Sequence, residues 1–246
     1  ALTAITDGGR NVAIGKDAFV ALTGGLYNVA IGYQAGYGTV SADTNTFIGY
    51  QAGYAITASG NVVIGRQAFA TASSVVNNVC IGHHAMQAVP SGQAINNCVS
   101  IGYQALHGSA STTTGIDGTV AIGKDALTAL TTGAGNVAVG YQAGLLETTG
   151  AQNTFIGYGA FKAGDAGEAG NTVIGYNAGS AINDATSDNN TIVGNEAAIG
   201  GVAAMKNVVV IGSGAMTGSA GNAQDGTVAV GRSALCLLYT SPSPRD

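Results

Sequence analysis

Tryptophan is absent, charged residues make up only 9% of the chain, and Pro90 is the only proline before residue 236. Each scarcity excludes something. A surface that grips a nucleic-acid backbone needs clustered Lys and Arg. Here the eight basic residues are scattered along the sequence and the formal net charge is −5, so no nucleic-acid partner is expected. No apolar run approaches the ~18 residues of a helical membrane span, so direct membrane insertion is not expected either. Helices are excluded by glycine, which interrupts the pattern every ~5 residues and leaves no window with a 3.6-residue period. Three cysteines, Cys80, Cys98 and Cys236, are too few for a disulfide framework. Low charge does not mean disorder, because 46% of residues are hydrophobic and they recur at regular positions. Built from Ala, Val and Ile without Trp, the core should be long and thin.

What is present is a repeat. Its clearest copy is Asn28-Val29-Ala30-Ile31-Gly32-Tyr33-Gln34-Ala35-Gly36. With the central glycine as position zero, the motif recurs thirteen times, at Gly15, Gly32, Gly49, Gly65, Gly82, Gly102, Gly123, Gly140, Gly157, Gly175, Gly194, Gly212 and Gly231. Successive spacings run from 16 to 21 residues. A fixed motif with an elastic spacer implies a rigid coil corner and a tolerant loop. The chain therefore serves as its own internal alignment.

Read down the columns, position −1 is always Ile or Val and position −3 is Val or Thr. Alternation with period two marks a short β-strand with one buried face, and β-branched residues suit it. The expectation is that −3 and −1, including Ile14, Ile31 and Ile48, point inward. Gly15, Gly32, Gly49 and their equivalents end the strand at a sharp turn that needs positive φ. Position +3 is Ala in every copy, as in Ala18, Ala35 and Ala52. It is expected to be the next inward residue, on a second short strand with room for a methyl group only. Position −4 is Asn in nine of thirteen copies and could bond neighbouring backbone or stack on the Asn of the next coil. Bulky residues at +4 accompany polar ones at +1 (Lys16 with Phe19, Arg66 with Phe69), whereas Tyr33 at +1 goes with Gly36 at +4. Two readings fit: the two side chains share one space at the corner, or two repeat subtypes were duplicated. The spacers are rich in Gly, Ser, Thr, Asn and Asp, as exposed loops are. The two longest, Met86 to Asn97 and Leu106 to Gly118, should project side by side.

Residues 1–235 thus form one repeat domain, expected to continue beyond both ends. Residues 236–246, Cys-Leu-Leu-Tyr-Thr-Ser-Pro-Ser-Pro-Arg-Asp, break the repeat. They look like the in-frame translation of a transposon-type sequencing adapter rather than native protein.

Candidate chemistry is sparse, and no catalytic, cofactor or metal site is expected. His83, His84 and His107 fall in consecutive repeats, with Cys80 nearby at −2. A metal site there is conceivable, because coils stack ~4.8 Å apart. The simpler reading is that histidine replaces Tyr, Lys or Gln on a solvent edge. Asp184 with Asp188, and Asp165 with Glu168, lie in loops without the ligand spacing of known calcium loops, and read as solvated charges. Six tyrosines occupy +1: Tyr33, Tyr50, Tyr103, Tyr141, Tyr158 and Tyr176. They form either an exposed stripe for glycan or protein contact, best represented by Tyr33, Tyr50, Tyr141 and Tyr176, or corner packing over glycine.

The motif Val-Ala-Ile-Gly-x-x-Ala, at Asn11 to Ala18, Asn28 to Ala35 and Thr119 to Ala126, resembles the head repeats of YadA-like trimeric autotransporter adhesins. The variant at Asn45 to Gly53, Asn-Thr-Phe-Ile-Gly-Tyr-Gln-Ala-Gly, resembles repeats in phage-type tail-fibre proteins. The resemblance covers Asn11 to Leu235, although adhesin heads have shorter and more uniform repeats. It implies an all-β parallel β-solenoid, a left-handed β-roll of about thirteen coils with two short strands each, three chains side by side. It also implies a location on a bacterial outer surface or a virion fibre, and a structural and adhesive role with loops available to a host receptor or glycan. The alternative class is a solenoid enzyme of the hexapeptide acyltransferase type, which requires a strict six-residue period that the 16 to 21 spacing lacks. An ice-binding solenoid would need outward Thr-x-Thr ladders, whereas threonine sits at −3, expected to face inward. If +3 faces the interior, Ala143→Leu should destabilise by roughly 1–3 kcal/mol through overpacking; an unchanged melting temperature would place that column on the surface.

Overall fold

The computed structural model describes residues 1–108, 113–164, 167–200, 204–218 and 224–236. Of the suspected adapter segment only Cys236 falls among them. The described chain contains no helix, so none is long and apolar enough to cross a membrane. It is a parallel β-solenoid. Each repeat contributes one three-residue strand, and the thirteen strands hydrogen-bond in sequence order into a single parallel sheet. The sheet runs from β1 (Val12–Ile14) and β2 (Val29–Ile31) to β13 (Val209–Ile211) and β15 (Val228–Val230). Register follows the columns, with Val12 beside Val29, Ala13 beside Ala30 and Ile14 beside Ile31. A second, two-stranded pairing joins β12 (Met205–Lys206) to β14 (Gln224–Asp225).

Most backbone groups are satisfied between coils, which is why a short strand per coil suffices; the recurrent bond within a coil runs from the +3 N–H to the zero-position glycine oxygen, as from Ala35 to Gly32 at 3.4 Å. The zero-position Gly32 N–H donates to Ile14 O at 2.7 Å, and the −3 N–H of Val29 donates to Asn45 O at 2.8 Å. At the corner the Gln34 N–H reaches Lys16 O at 2.9 Å, and the Gly36 N–H reaches Ala52 O at 3.0 Å. The glycine column meets two demands. Its φ is +124° at Gly15 and +134° at Gly65, and a Cβ on either would lie 2.5 Å from the glycine oxygen of the following coil. Left-handed φ also recurs in every repeat at −5, +2 and +4, including bulky Phe19 (47°), Phe69 (41°) and Leu127 (47°). Such values are strained for large side chains and persist only when the surroundings over-determine them. The stacked coils do so here.

The Asn column is a buried ladder. Asn171 Oδ1 accepts the N–H of Asn190 at 3.0 Å, while its Nδ2 donates to Ser187 O at 2.8 Å. Asn28, Asn45, Asn61 and Asn78 repeat the first bond coil after coil. Where Cys98 replaces Asn, its Sγ lies 3.2 Å from Ile116 O and takes over the donor role. A second ladder, invisible in the column reading, runs at −6. There Asp43, Asn96, Asp117 and Asp188 side chains accept the backbone N–H of the preceding coil at Leu26, Val76, Asn96 and Ala169.

Three expectations change. First, the strand faces the opposite way: −2 is buried and −3 and −1 are outward, so Ala30, Phe47, Val63 and Cys80 line the interior while Ile14, Ile31 and Ile48 do not. A period of two sets alternation but not its sign, and a one-residue slip exchanges the faces. The interior is too narrow for two β-branched side chains per strand in addition to +3, +4 and the loop residues. Second, +3 does face inward, with Ala18, Ala35, Ala52 and Ala143 fully buried, but it lies in a turn and not on a second strand. Third, +1 and +4 do not share a corner, because +4 points into the core and +1 points out. Gly36 is small because a Cβ there would overlap the rings of Phe19 and Phe47, which belong to the coils on either side. Volume is thus traded along the axis. Phe19 and Phe47 rings meet at 5.9 Å across Gly36, and Phe155 stacks on Phe161 at 4.7 Å.

Coil contact and backbone strain separate in one comparison. Gly65→Ala should cost about 2–5 kcal/mol, since it meets both the φ penalty and the Gly82 carbonyl. Among the described residues no coil follows Gly231, where the atom nearest to an added Cβ is 4.0 Å away, and Gly231→Ala should lose clearly less. Equal losses in chemical denaturation would mean that coil contact is not what requires glycine.

Candidate functional site

Two surfaces of the rod are organised enough to act. The first is the outer face of the sheet. Each strand turns its −3 and −1 side chains outward, so twenty-six β-branched residues form two parallel columns along the whole sheet, and only Thr46, Thr154, Thr172 and Thr191 among them are polar. Ile156 is 37% and Ile211 40% exposed, and Val228 at the last strand is 65% exposed. At ~4.8 Å per strand, the seam is roughly 60 Å long. A continuous apolar strip of this length goes beyond the scattered hydrophobics normal on a monomer surface. Because −3 faces outward, the orientation argument against an ice-binding solenoid falls. The composition argument remains, since the columns are mostly Val and Ile and hold no Thr-x-Thr.

The second surface is the +1 and +2 edge. The sequence scatters its basic residues, but the coil brings Lys16, Arg66, Lys124 and Arg232 into the +1 column that carries the tyrosines. Tyr33 stacks on Tyr50 (5.4 Å, 17°), and Tyr141, Tyr158 and Tyr176 form a continuous stack with centroids 4.8 and 5.3 Å apart. The stacks are closed by cations: Lys16 lies over Tyr33, Arg66 over Tyr50, and Lys124 between Tyr103 and Tyr141. The tyrosines are exposed, Tyr33 at 39% and Tyr176 at 48%, and form a stripe, not packing over glycine. Their ring faces are nevertheless occupied by one another and by cations, so edges and hydroxyls face solvent. Beside them, Gln34, Gln51 and Gln67 form an amide ladder at 2.9 and 3.1 Å. Lys124 pairs with Asp125, and Asp17 and Glu196 share the +2 column, so the edge is near charge balance.

The histidines sit on this edge. His83 Nε2 lies 2.8 Å from Arg66 Nη1, and His84 Nε2 lies 3.3 Å from the same nitrogen and 3.1 Å from Gln67 Oε1. Desolvation, then His83, Arg66 and His107, hold the His84 midpoint below its ordinary value. Cys80 is not beside them: it points into the core, its Sγ 3.4 Å from Met86 Sδ, which corrects its expected outward position. Burial pushes its thiol well up, and pushes that of Cys98 up to about 11. Both are free thiols. Among the described residues, no group of three or more His, Cys, Asp or Glu is placed to hold a metal ion. Asp184 is engaged by the Thr186 N–H at 2.9 Å and hydroxyl at 2.6 Å, and its pKa is lowered by those bonds. Asp165 lies outside the described residues. The long spacers do run together, Asn96 N–H reaching Asp117 Oδ1 at 2.7 Å, though residues 109–112 of the second also lie outside.

Compared with family models, curated proteins and solved structures, the chain matches none. The arrangement itself is therefore what bears on function. Arg66→Gln removes a positive charge from beside His84 and should raise its titration midpoint toward the ordinary histidine value in an NMR pH series; an unmoved midpoint would show that the Arg66 charge is not felt there.

Proposed function

We propose that this chain is a structural and adhesive segment of a multi-chain fibre, its seam buried against other copies of itself. The observation that carries the reading is the unbroken Val and Ile strip on the outward face of the sheet. Parallel, in-register coils give every copy the same strip, so copies aligned along their axes can cover one another over the full length, as a symmetric homo-oligomer requires. The stoichiometry of three, a homotrimer, comes from the resemblance to YadA-like adhesin heads and tail-fibre repeats. So does a location on a bacterial surface or virion fibre. Rigidity in this reading comes from the coil-to-coil ladder, and receptor or glycan contact falls to the spacers and to the hydroxyl edge of the tyrosine stripe. An enzyme of the hexapeptide acyltransferase type has less support, because coil lengths of 16 to 21 residues do not match its period.

Light scattering on residues 1–235 should give the mass of a trimer. Replacing Ile48 and Ile81 together by Asp should yield a folded monomer with the native circular dichroism spectrum, because both side chains are outward. A wild-type monomer would remove the assembly; a double variant that unfolds instead of dissociating would mean the seam belongs to the core.

A further inference from the structure

One pair of side chains breaks the rule of the interior. The +7 column is otherwise apolar or small: Leu22, Ile56, Val89, Leu130 and Ile182 are buried there, with Thr39 the polar exception until Glu147. On the following coil the −7 column, which holds Val75, Ile95 and Ile116 earlier in the rod, holds Glu168. Both glutamates have no exposed surface. Gly150, also at −7, leaves the space that Glu147 occupies, since a Cβ there would lie 2.7 Å from the Glu147 Oε1. Its Oε1 accepts the N–H of Gly150 at 2.7 Å and of Thr149 at 3.2 Å. Among the described residues, none donates to its Oε2. The side chain it meets is that of Glu168, on the adjacent coil.

Two facing carboxylates have no hydrogen between them and repel in a medium that screens weakly. With one proton the same geometry becomes an O–H···O bond, and the orphaned oxygen of Glu147 gains its partner. From this geometry we infer that Glu147 and Glu168 hold one shared proton and act as a pH-sensitive joint between the two coils that carry them, closed when the proton is bound and loosened when it leaves. Burial, first, and then the neighbouring Glu168 charge raise Glu147 from 4.5 to about 7, against the opposing pull of the Gly150 and Thr149 N–H groups. Of the charged groups on the flanking coils, Lys162, Asp184 and Asp188 are among the described residues. Lys162 is exposed, and the Asp188 carboxylate accepts the Ala169 N–H at 2.8 Å. Asp165 lies outside those residues.

The direction follows from linkage. The folded chain keeps a proton between 4.5 and about 7 that the unfolded chain has lost. Stability from this pair is therefore full below the lower value, falls as pH rises through that window, and levels off above it. The rod is tightest in mild acid and loosest at this one joint under alkaline conditions.

The test is the melting temperature of the whole chain between about pH 5 and about pH 8, beside Glu147→Gln, Glu147→Leu and Glu168→Gln. The wild type should melt several degrees lower at the alkaline end, and that fall should be absent when Glu147→Gln is combined with Glu168→Gln, since Glu168 alone would stay buried. Glu147→Leu restores the apolar side chain usual in its column and serves if the glutamine variant folds poorly. A protonated-carboxyl stretch in the infrared spectrum should fade over the same window and vanish in the double variant. Amide exchange, corrected for its intrinsic pH dependence, should accelerate at residues 144–151 and 167–171 before the rest of the rod. A wild type without that fall, or a fall that survives in the double variant, overturns the inference. So does an alkaline melting temperature that magnesium or calcium chloride raises in the wild type but not in Glu147→Gln, since the pair would then be a cation site.

Discussion

Everything in this rod depends on identical backbone lying directly on identical backbone at the spacing of a parallel sheet. That contact satisfies N–H and C=O groups from the strand through the corner, and it decides what each column can hold. Glycine at zero is required twice over, by its positive φ and by the carbonyl of the next coil where a Cβ would be. Asparagine at −4 has one oxygen for the next coil's N–H and one amide for its carbonyl, so it fits the same spacing from inside. The strained left-handed Phe, Leu and Met residues at +4 are held by the coils on either side. A single coil has none of these partners, which is why such a unit is stable only as an array.

The interior follows a looser rule. Because −2, +4 and the loop columns from neighbouring coils reach into one continuous core, a large ring in one coil is matched by glycine in the next, as Phe19 and Phe47 are by Gly36. Volume is conserved along the axis and not within each repeat. Glu147 and Glu168 stand out against this background because they bring ionisable groups into a channel built for methyls and rings. The same side-by-side placement that stacks tyrosines usefully outside puts two carboxyls face to face inside.

Much of this was legible in the columns. The repeat, the strand before each glycine, the turning glycine and the buried Ala35 and Ala143 follow from spacing and residue type, the parallel solenoid came with the resemblance, and the Asn28 to Asn78 ladder was open as one of two readings. Left-handed φ at −5 could have been read as well, since Gly60, Asn77, Gly118 and Asn189 mark it. The −6 ladder was harder to see, because Asp43, Asn96, Asp117 and Asp188 share their column with Leu26, Val76 and three alanines, which have no side-chain acceptor. The alignment of Lys16, Arg66 and Lys124 with the tyrosines was legible in principle, once the chain was folded at its own period.

The sequence by itself determined that a coil repeats, where it turns and which positions alternate, because those properties are local and each copy restates them. Only the tertiary structure decided which side of the strand is the inside. Val12, Ile14 and their equivalents have the residue types of a core, yet a coil this narrow is filled by Ala30, Phe47 and the +4 residues, and the β-branched pair is left outside. Alternation carries no sign; the sign comes from the volume enclosed when the chain closes its turn. That one reversal moves the most hydrophobic columns of the protein from its core to its surface.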